Sequence, residues 1–234
     1  MGSTTTVERT RAITFDLDDT LWEVEGVLRL ADARLHAWLA RYQPRAASRF
    51  PPVELRSMMA AIAAERPEWA HDFSYLRRAA LSRAARLAGD EEDLSDEAFR
   101  VFLRARNEVV LYDDVRPVLD RLRRRYPMAS ITNGNADVRL VGLETYFTAA
   151  ISAAGVGYAK PHPVPFQAAC AALGHAPAEV VHVGDDPESD VAGAAAAGLR
   201  TIWVNRKGRD WPGGPGPDAE IRSLDQLEVA LTGL

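Results

Sequence analysis

The sequence predicts an α/β protein with a doubly wound parallel sheet and an inserted all-helical domain. Short β-branched or apolar runs alternate with loops and helical patterns, which is typical of a parallel sheet covered by helices. The stretch between the first two runs has helical patterns and no convincing strand. We therefore expect a core domain of residues 1–22 and 111–234, and a helical domain of residues 23–110.

The elements of the core follow from local patterns. Residues 1–10 are polar and are expected to be loosely ordered. Each predicted strand ends in polar or glycine-rich residues, and the strands are 12–15, 127–131, 149–154, 180–183 and 201–204. Amphipathic spacing, prolines at a helix start and Gly198 at a helix end predict the covering helices, which are 115–126, 163–173 and 188–197.

The inserted domain is predicted from helical segments that are separated by proline or glycine. These segments are 26–42, 52–65, 72–88 and 95–109. Their separators are residues that end or interrupt helices. Because the block follows the first strand, we expect it to lie over the edge of the sheet where that strand ends.

Composition excludes several classes of function. The net charge is −5 and the pI about 5.6, so the chain offers no overall electrostatic attraction to nucleic acid. One cysteine, Cys170, excludes an internal disulfide framework and fits a reducing compartment. No apolar run has the length of a membrane span or the form of a signal peptide. We expect a soluble cytoplasmic protein, a monomer or homodimer, with neither membrane nor nucleic acid as partner.

Polar side chains follow the predicted strands at the edge where parallel sheets bind ligands. Asp16 and Asp18 flank Leu17, and side chains two apart on an extended segment point the same way. The later strand ends contribute hydroxyl, amide, ammonium and carboxylate groups, which belong to Thr132, Asn133, Lys160, Asp185, Asp186 and Asp190. We expect these groups to converge on a single site.

The charges of this cluster predict a divalent cation. Several carboxylates and one lysine leave surplus negative charge, which would repel an anionic substrate unless a cation compensates. Mg²⁺ prefers oxygen ligands, and Asp16 and Asp185 are the best candidates. Lys160 and Thr132 would then bind a phosphoryl group that a carboxylate attacks to form an aspartyl-phosphate. Asp18 would protonate the leaving alcohol and later deprotonate water.

The motifs FDLDDTLW, ITNGN, YAKPHP with its lysine, and HVGDDPESD resemble, in this order, the motifs of the haloacid dehalogenase superfamily of aspartate-nucleophile phosphohydrolases. The inserted helices are similar to what that family calls a C1 cap. The second and fourth motifs are also similar to those of a subgroup of bacterial phosphatases acting on flavin mononucleotide and phosphoribitylaminouracil. The resemblance covers residues 11–206.

The resemblance implies roles for the acids of the site. Asp16 is the implied nucleophile and a metal ligand, and Asp185 is a further metal ligand. Asp18 is the implied general acid and base, with its backbone carbonyl on Mg²⁺. An acid at this position separates phosphatases from true dehalogenases, which need neither a metal nor that acid. Asp190 is implied to orient Lys160 or the waters of the metal, and Asp186 to have a supporting role.

The resemblance further implies that Thr132 and Lys160 bind phosphate, and Asn133 is expected to assist them with backbone or amide donors. Trp22, at the hinge into the inserted helices, is expected to support the site. Asp19 and Thr20 are more simply explained as turn residues, and His182 as a strand histidine with satisfied ring nitrogens.

The expected function is Mg²⁺-dependent hydrolysis of a small phosphorylated metabolite, with flavin mononucleotide or a nucleotide-like phosphate as the leading substrate class. Two alternatives remain open. One is a phosphosugar mutase on the same scaffold, which would return the phosphoryl group to a sugar. The other is a non-catalytic binding or regulatory module that works through contacts of the helical domain.

Overall fold

The computed structural model describes residues 10–90 and 92–234, so the segment expected to be loosely ordered lies outside the described residues except for Thr10. A six-stranded sheet forms the centre of the core, with strand order β3-β2-β1-β4-β5-β6 and parallel pairing throughout. Its strands are β1 Ala12–Phe15, β2 Met128–Thr132, β3 Ala149–Ser152, β4 Val180–Gly184, β5 Arg200–Val204 and β6 Ala219–Ile221. The chain extends the sheet from β1 first to one side and then to the other, which makes it doubly wound.

Both faces of the sheet are covered, which explains why β1, β2 and β4 consist entirely of buried residues. One face packs against α6, Val115–Leu122, and α10, Leu227–Thr232. The other face packs against α8, Pro163–Leu173, and α9, Gly193–Ala196, and includes the buried Cys170. Alternate residues of each strand therefore enter different cores, and the predicted α/β class is confirmed.

Several predicted bounds of the core were wrong. Helix α6 ends at Leu122 instead of residue 126, and Pro127 disfavours a helical residue before it. The predicted helix 188–197 is a π-helix, Pro187–Ala192, continued by α9. Strand β6 was missed because three residues are too short to show an alternating pattern. A further short helix, α7 (Ala153–Val156), follows β3.

Most of the described chain between Val24 and Arg106 is helical. Its helices are α1 Val24–Tyr42, α2 Pro44–Arg49, α3 Pro52–Glu65, α4 Phe73–Ala88 and α5 Ser95–Arg106. Leu35, Leu81, Phe99 and Phe102 belong to its own apolar cluster. Sequence patterns predicted every helix except α2, whose six residues give too little periodicity. We call residues 23–110 the helical insertion.

The chain enters and leaves the helical insertion at adjacent points. Trp22 forms an isolated antiparallel bridge with Leu111, and Tyr112 N–H donates to the carbonyl of Leu21. Asp19 accepts a hydrogen bond from the N–H of Val24 at the start of α1, which is the turn role predicted for it. The division into two domains at these positions stays a prediction. Within the described part of the chain, each helix is too short or too polar to span a bilayer.

Candidate active site

The carboxyl ends of β1 and β4 carry the centre of the site. These neighbouring strands lie where the direction of the strand order reverses, which is the position at which such sheets bind ligands. Asp16 directly follows β1, and Asp185 directly follows β4. Oxygen atoms of Asp16, Asp185 and Asp190 all lie within 4.8 Å of one another. The structure thus brings together acids that are far apart in the sequence, as predicted.

Lys160 lies beside these acids and is almost fully buried. Its Nζ donates to Asp16 Oδ1 at 2.6 Å, to Asp190 Oδ1 at 2.6 Å and to the carbonyl of Ile131 at 3.0 Å. Asn133 fixes the backbone of Lys160, because its Nδ2 donates to the Lys160 carbonyl and its Oδ1 accepts from the Lys160 N–H. The ammonium group is therefore held by three acceptors in one place.

The pKa values of these groups show how the charges balance. Burial alone would lower the pKa of Lys160, but Asp16 and Asp190 outweigh it and raise that pKa. Burial would raise the pKa of Asp190, but Lys160 and His182 hold it below its usual range. Burial raises the pKa of Asp16 well above its usual value, and Asp190 adds to this effect while Lys160 opposes it. Lys160 therefore pairs with both carboxylates, and at Asp16 the effect of burial still exceeds that of the pairing.

Asp185 is the second acid whose ionisation costs free energy. Burial raises its pKa to about 7, and the neighbouring acids Asp190 and Asp19 contribute, against a lowering effect of Arg209. Two carboxylates with raised pKa values, on neighbouring strand ends, are the donor set that a hard divalent cation requires. Asp16 and Asp185 therefore fit a metal ion such as Mg²⁺.

Asp190 is less suited to bind the metal because its oxygens are already engaged. Oδ1 contacts Lys160 and His182 Nε2, and Oδ2 accepts from the backbone N–H of Asp186. Asp190 thus contacts the ammonium group that it is predicted to orient, and that role stays a prediction. Asp186 itself caps the following π-helix, since its Oδ1 accepts from the N–H groups of residues 188 and 189.

His182 has both ring nitrogens satisfied, as predicted. Its Nδ1 lies 2.9 Å from Thr14 Oγ1, and its Nε2 lies 3.2 Å from Asp190 Oδ1. Burial lowers the pKa of His182, although Asp190 opposes this shift. The pairing is consistent with a neutral ring that donates from Nε2 to the carboxylate and accepts at Nδ1 from the threonine hydroxyl.

The second strand end supplies Thr132 and a close approach at Gly134. Thr132 Oγ1 accepts a hydrogen bond from the N–H of Gly134 at 2.9 Å and retains its own proton for a ligand. A Cβ at Gly134 would lie 2.9 Å from Asp18 Oδ2. The side chain of Asn133 is bonded to the backbone of Lys160, and its contact with phosphate stays a prediction.

The carboxylate of Asp18 accepts hydrogen bonds from two side chains, those of Trp22 and Arg106. Trp22 Nε1 donates to Asp18 Oδ1 at 2.9 Å, and Arg106 Nη2 donates to Oδ1 at 2.7 Å and to Oδ2 at 2.6 Å. Trp22 is fully buried, and its supporting role at the hinge stays a prediction. Oδ2 accepts this single bond and keeps lone-pair capacity for a further donor.

Sequence reasoning missed two direct contacts of the site. The hydroxyl of Thr20 donates to Asp16 Oδ2 at 3.1 Å, so this residue does more than form a turn. Arg106 comes from the end of α5, 88 positions away from Asp18 in the chain. No local signal identifies it, because arginines are common in the last turn of helices. Thr20 could have been found from its spacing of four residues from Asp16.

The chain is similar in sequence to known hydrolases. The sequence model of the haloacid dehalogenase-like hydrolases matches residues 10–198. The chain is 30% identical to the 5-amino-6-(5-phospho-D-ribitylamino)uracil phosphatase of Escherichia coli, over 94% of this chain and 95% of that protein. It is 32% identical to a phosphoserine phosphatase of Thermus thermophilus, over 94% and 98% of the two chains.

Solved structures include two types of relative. A protein described as a 2-haloacid dehalogenase from Pseudomonas syringae pv. Tomato superposes with a TM-score of 0.91 and 40% identity, over 96% of this chain and 99% of that chain. A phosphatase from Thermococcus onnurineus superposes with a TM-score of 0.68 and 26% identity, again over 96% and 99%. The activities for which these relatives are named therefore differ in both the bond cleaved and the leaving group.

Proposed function

The chain belongs to the haloacid dehalogenase-like hydrolase family, and from this premise we propose that it is a Mg²⁺-dependent phosphomonoesterase that works through an aspartyl-phosphate. The observation that carries the proposal is the arrangement of Asp16, Asp185 and Lys160 around one point. Two curated relatives that cover nearly the whole chain at 30% and 32% identity are phosphatases by name, which supports the same reaction class.

Asp16 is the proposed nucleophile. Lys160 holds Oδ1 and Thr20 holds Oδ2, so the carboxylate has a fixed orientation before substrate binds. Attack of one of its oxygens on phosphorus forms the aspartyl-phosphate and releases the leaving alcohol. Mg²⁺ held by Asp16 and Asp185, and by the backbone carbonyl of Asp18, would offset the negative charge of the site and of the phosphoryl group. Thr132 and Lys160 would donate to the phosphoryl oxygens.

Asp18 is the proposed proton donor and acceptor. Its Oδ2 has lone-pair capacity left after the bond from Arg106, so it can carry the proton that the leaving oxygen takes. In the second half-reaction the same oxygen would accept a proton from the water that hydrolyses the aspartyl-phosphate. Trp22 and Arg106 keep the carboxylate in one orientation for both steps.

The substrate is proposed to be a small phosphorylated metabolite with a leaving group of the flavin or nucleotide type. The Escherichia coli relative named for a ribitylaminouracil phosphate supports this class. Other relatives are named for phosphoserine or for N-acylneuraminate 9-phosphate. The similarity to these relatives therefore supports phosphate-ester hydrolysis more strongly than it supports any one leaving group. The choice of leaving group depends on local contacts within the site.

Hydrolytic dehalogenation is the second candidate, because the structure with a TM-score of 0.91 is described as a 2-haloacid dehalogenase. Two features of this chain disfavour it. The acids at Asp16, Asp185 and Asp190 outnumber Lys160 and form a donor set that fits a metal ion, which the resemblance says true dehalogenases do not need. The chain also carries Asp18, which the resemblance assigns to phosphatases.

Phosphate release from 4-nitrophenyl phosphate, flavin mononucleotide and a panel of sugar phosphates tests the proposal. We expect turnover that requires Mg²⁺ and that falls by at least about 10³-fold in Asp16→Asn, because the nucleophile is lost. Asp120→Asn, at a half-exposed acid on α6 that pairs with Arg123, is the matched control. Chloride release from 2-chloropropionate without metal would favour the dehalogenase. Isomerised sugar phosphate without free phosphate would favour a mutase, and inactivity of the wild type towards every ester would favour a binding module.

A further inference from the structure

A cavity of about 370 Å³ lies between the helical insertion and the core, directly beside Asp18. Most of its wall is apolar, and its larger apolar side chains are Leu28, Met59, Phe73, Leu76 and Phe102. Leu28 and Phe73 are among the exposed large hydrophobic residues of the chain, which places apolar surface where the cavity meets solvent. Gly134 and Asn135 contribute the core side of the wall. The cavity therefore fits an apolar body attached to a group that reaches Asp18.

Arg106 is a charged residue in this wall and has an unused donor. Its side chain is 2% exposed. Its Nη2 is bonded to both oxygens of Asp18, whereas its buried Nη1 has no hydrogen-bond partner within residues 10–90 and 92–234. A buried donor without a partner costs free energy, so native structures rarely retain one without a function. Nη1 of Arg106 is therefore a donor to which a ligand could supply the acceptor.

The charges around the cavity indicate which acceptor fits. Arg56 and Arg77 both line the cavity and are paired with the same carboxylate. Arg56 donates to Asp32 Oδ2 at 2.6 Å, and Arg77 donates to Asp32 Oδ1 at 3.0 Å. Arg106 is paired with a second carboxylate, that of Asp18. The arginines of the wall thus exceed their paired carboxylates by one positive charge. An anionic acceptor compensates this charge, whereas a neutral carbonyl does not.

We propose that Arg106 determines specificity by donating from Nη1 to a carboxylate on the leaving group, while the apolar cavity takes the rest of that group. This inference rests on the phosphomonoesterase reaction proposed above and replaces the flavin or nucleotide leaving group by one that carries a carboxylate. Because Nη1 and Nη2 belong to one planar guanidinium, the acceptor lies only a few ångströms from an ester oxygen that is within reach of Asp18. That separation corresponds to a carboxylate on the ester carbon or on the carbon next to it.

Two esters with the same apolar body test the inference in the Mg²⁺-loaded protein. One is the phosphate ester of 3-phenyllactate, which carries a carboxylate on the ester carbon, and the other is 2-phenylethyl phosphate, which lacks it. A charge-assisted hydrogen bond in a buried site should raise kcat/KM for the carboxylate ester by about 10-fold or more, mainly through KM. 4-Nitrophenyl phosphate serves as the general activity reference.

Substitutions of Arg106 separate specificity from structural support. In Arg106→Met we expect both esters to be hydrolysed more slowly, because Asp18 loses a donor, and the preference between them to disappear. Arg106→Lys keeps the charge without the planar pair of donors and should retain only part of the preference. Arg104→Met, an exposed arginine on the same helix, is the control and should leave rates and preference unchanged. A purely structural role of Arg106 would lower both rates equally and leave their ratio intact.

Equal kcat/KM values for the two esters in the wild type, or an unchanged ratio in both Arg106 variants, would overturn the inference and leave the phosphomonoesterase intact. If none of the three esters releases phosphate, the proposed function itself fails and the inference fails with it. Should Arg106→Met not fold, Arg106→Lys and competitive inhibition of the wild type decide. Stronger inhibition by 3-phenyllactate than by 2-phenylethanol supports the inference, and equal inhibition contradicts it.

Discussion

Replacing Lys160 by methionine should destabilise the protein strongly at neutral pH. The ammonium group lies 2.6 Å from both Asp16 Oδ1 and Asp190 Oδ1, and all three side chains are nearly or fully buried. The substitution would leave two buried carboxylates without their cation. Breaking such a pair costs about 3–5 kcal/mol of the free energy of unfolding. With a slope of about 2 kcal/mol per molar urea, the unfolding midpoint would fall by about 1.5–2.5 M.

The loss should become smaller on acidification. Because the pKa of Lys160 is raised in the folded state, its contribution is complete below its unfolded value of about 10.4 and is lost only above that range. Between pH 8 and pH 5 the lysine therefore stays charged, and any change in the difference comes from the acids. Without Lys160, Asp16 and Asp190 would take up protons more readily, so the destabilisation at pH 5 should be smaller than at pH 8.

Urea unfolding without Mg²⁺, followed by circular dichroism at pH 5 and pH 8, measures both effects. Lys207→Met is the matched control, because the other lysine of the chain is exposed and lies 3.8 Å from its acidic neighbour Asp19. Exposed pairs contribute at most about 1 kcal/mol. Equal stability of Lys160→Met and Lys207→Met at pH 8 would refute the reasoning, since the buried acids would then not depend on the ammonium group.

Further predictions concern the acids and the glycines of the site. Asp16→Asn should be at least as stable to heat as the wild type at pH 8. The raised pKa of Asp16 indicates that ionising this carboxyl in the folded state costs free energy, which the amide avoids. A clear fall of the melting temperature would contradict this. Gly184→Ala should lose at least about 2 kcal/mol of stability or fail to fold, because the new Cβ would lie 2.3 Å from Asp190 Cγ. Gly216→Ala, which meets no atom within 4 Å, should show neither effect in the same urea titration. Mg²⁺ affinity measured by calorimetry should weaken about tenfold per pH unit below about 7, since protons compete for Asp185, and a flat profile from pH 5.5 to 7 would exclude that competition.

Alternation of strands and helices made the core predictable from sequence. The predicted strand 12–15 and helix 163–173 agree with the structure at both ends, because clear apolar runs and an initial proline mark them. Short elements such as β6 escaped because their stability comes from pairing with β5. The convergence of Asp16, Lys160 and Asp185 was also predictable, since parallel strands bring their carboxyl ends to one edge.

Contacts between distant segments could not be predicted in the same way. The bond of Arg106 to Asp18 depends on how α5 returns to the core, and helical periodicity carries no information about that angle. Asn133 was expected to bind phosphate, yet its side chain holds the backbone of Lys160. A residue type fixes which hydrogen bonds are possible, whereas the choice among them depends on which partner the fold brings near.

The orientation of Asp16, the proposed nucleophile, depends on a hydrogen-bond network that lies outside the sequence motifs. Arg206 donates from Nε and Nη2 to the carbonyl of Thr20 at 3.1 and 2.9 Å, and from Nη1 and Nη2 to Asp114 at 2.9 and 3.0 Å. Burial alone would raise the pKa of Asp114, but Arg206 and Ser223 outweigh it and lower that pKa. The charged form of Asp114 thus holds Arg206 in place at neutral pH, and Arg206 fixes the backbone of Thr20. Since the hydroxyl of Thr20 donates to Asp16 Oδ2, the Asp16 carboxylate takes part of its orientation from Arg206 and Asp114, which do not contact it themselves.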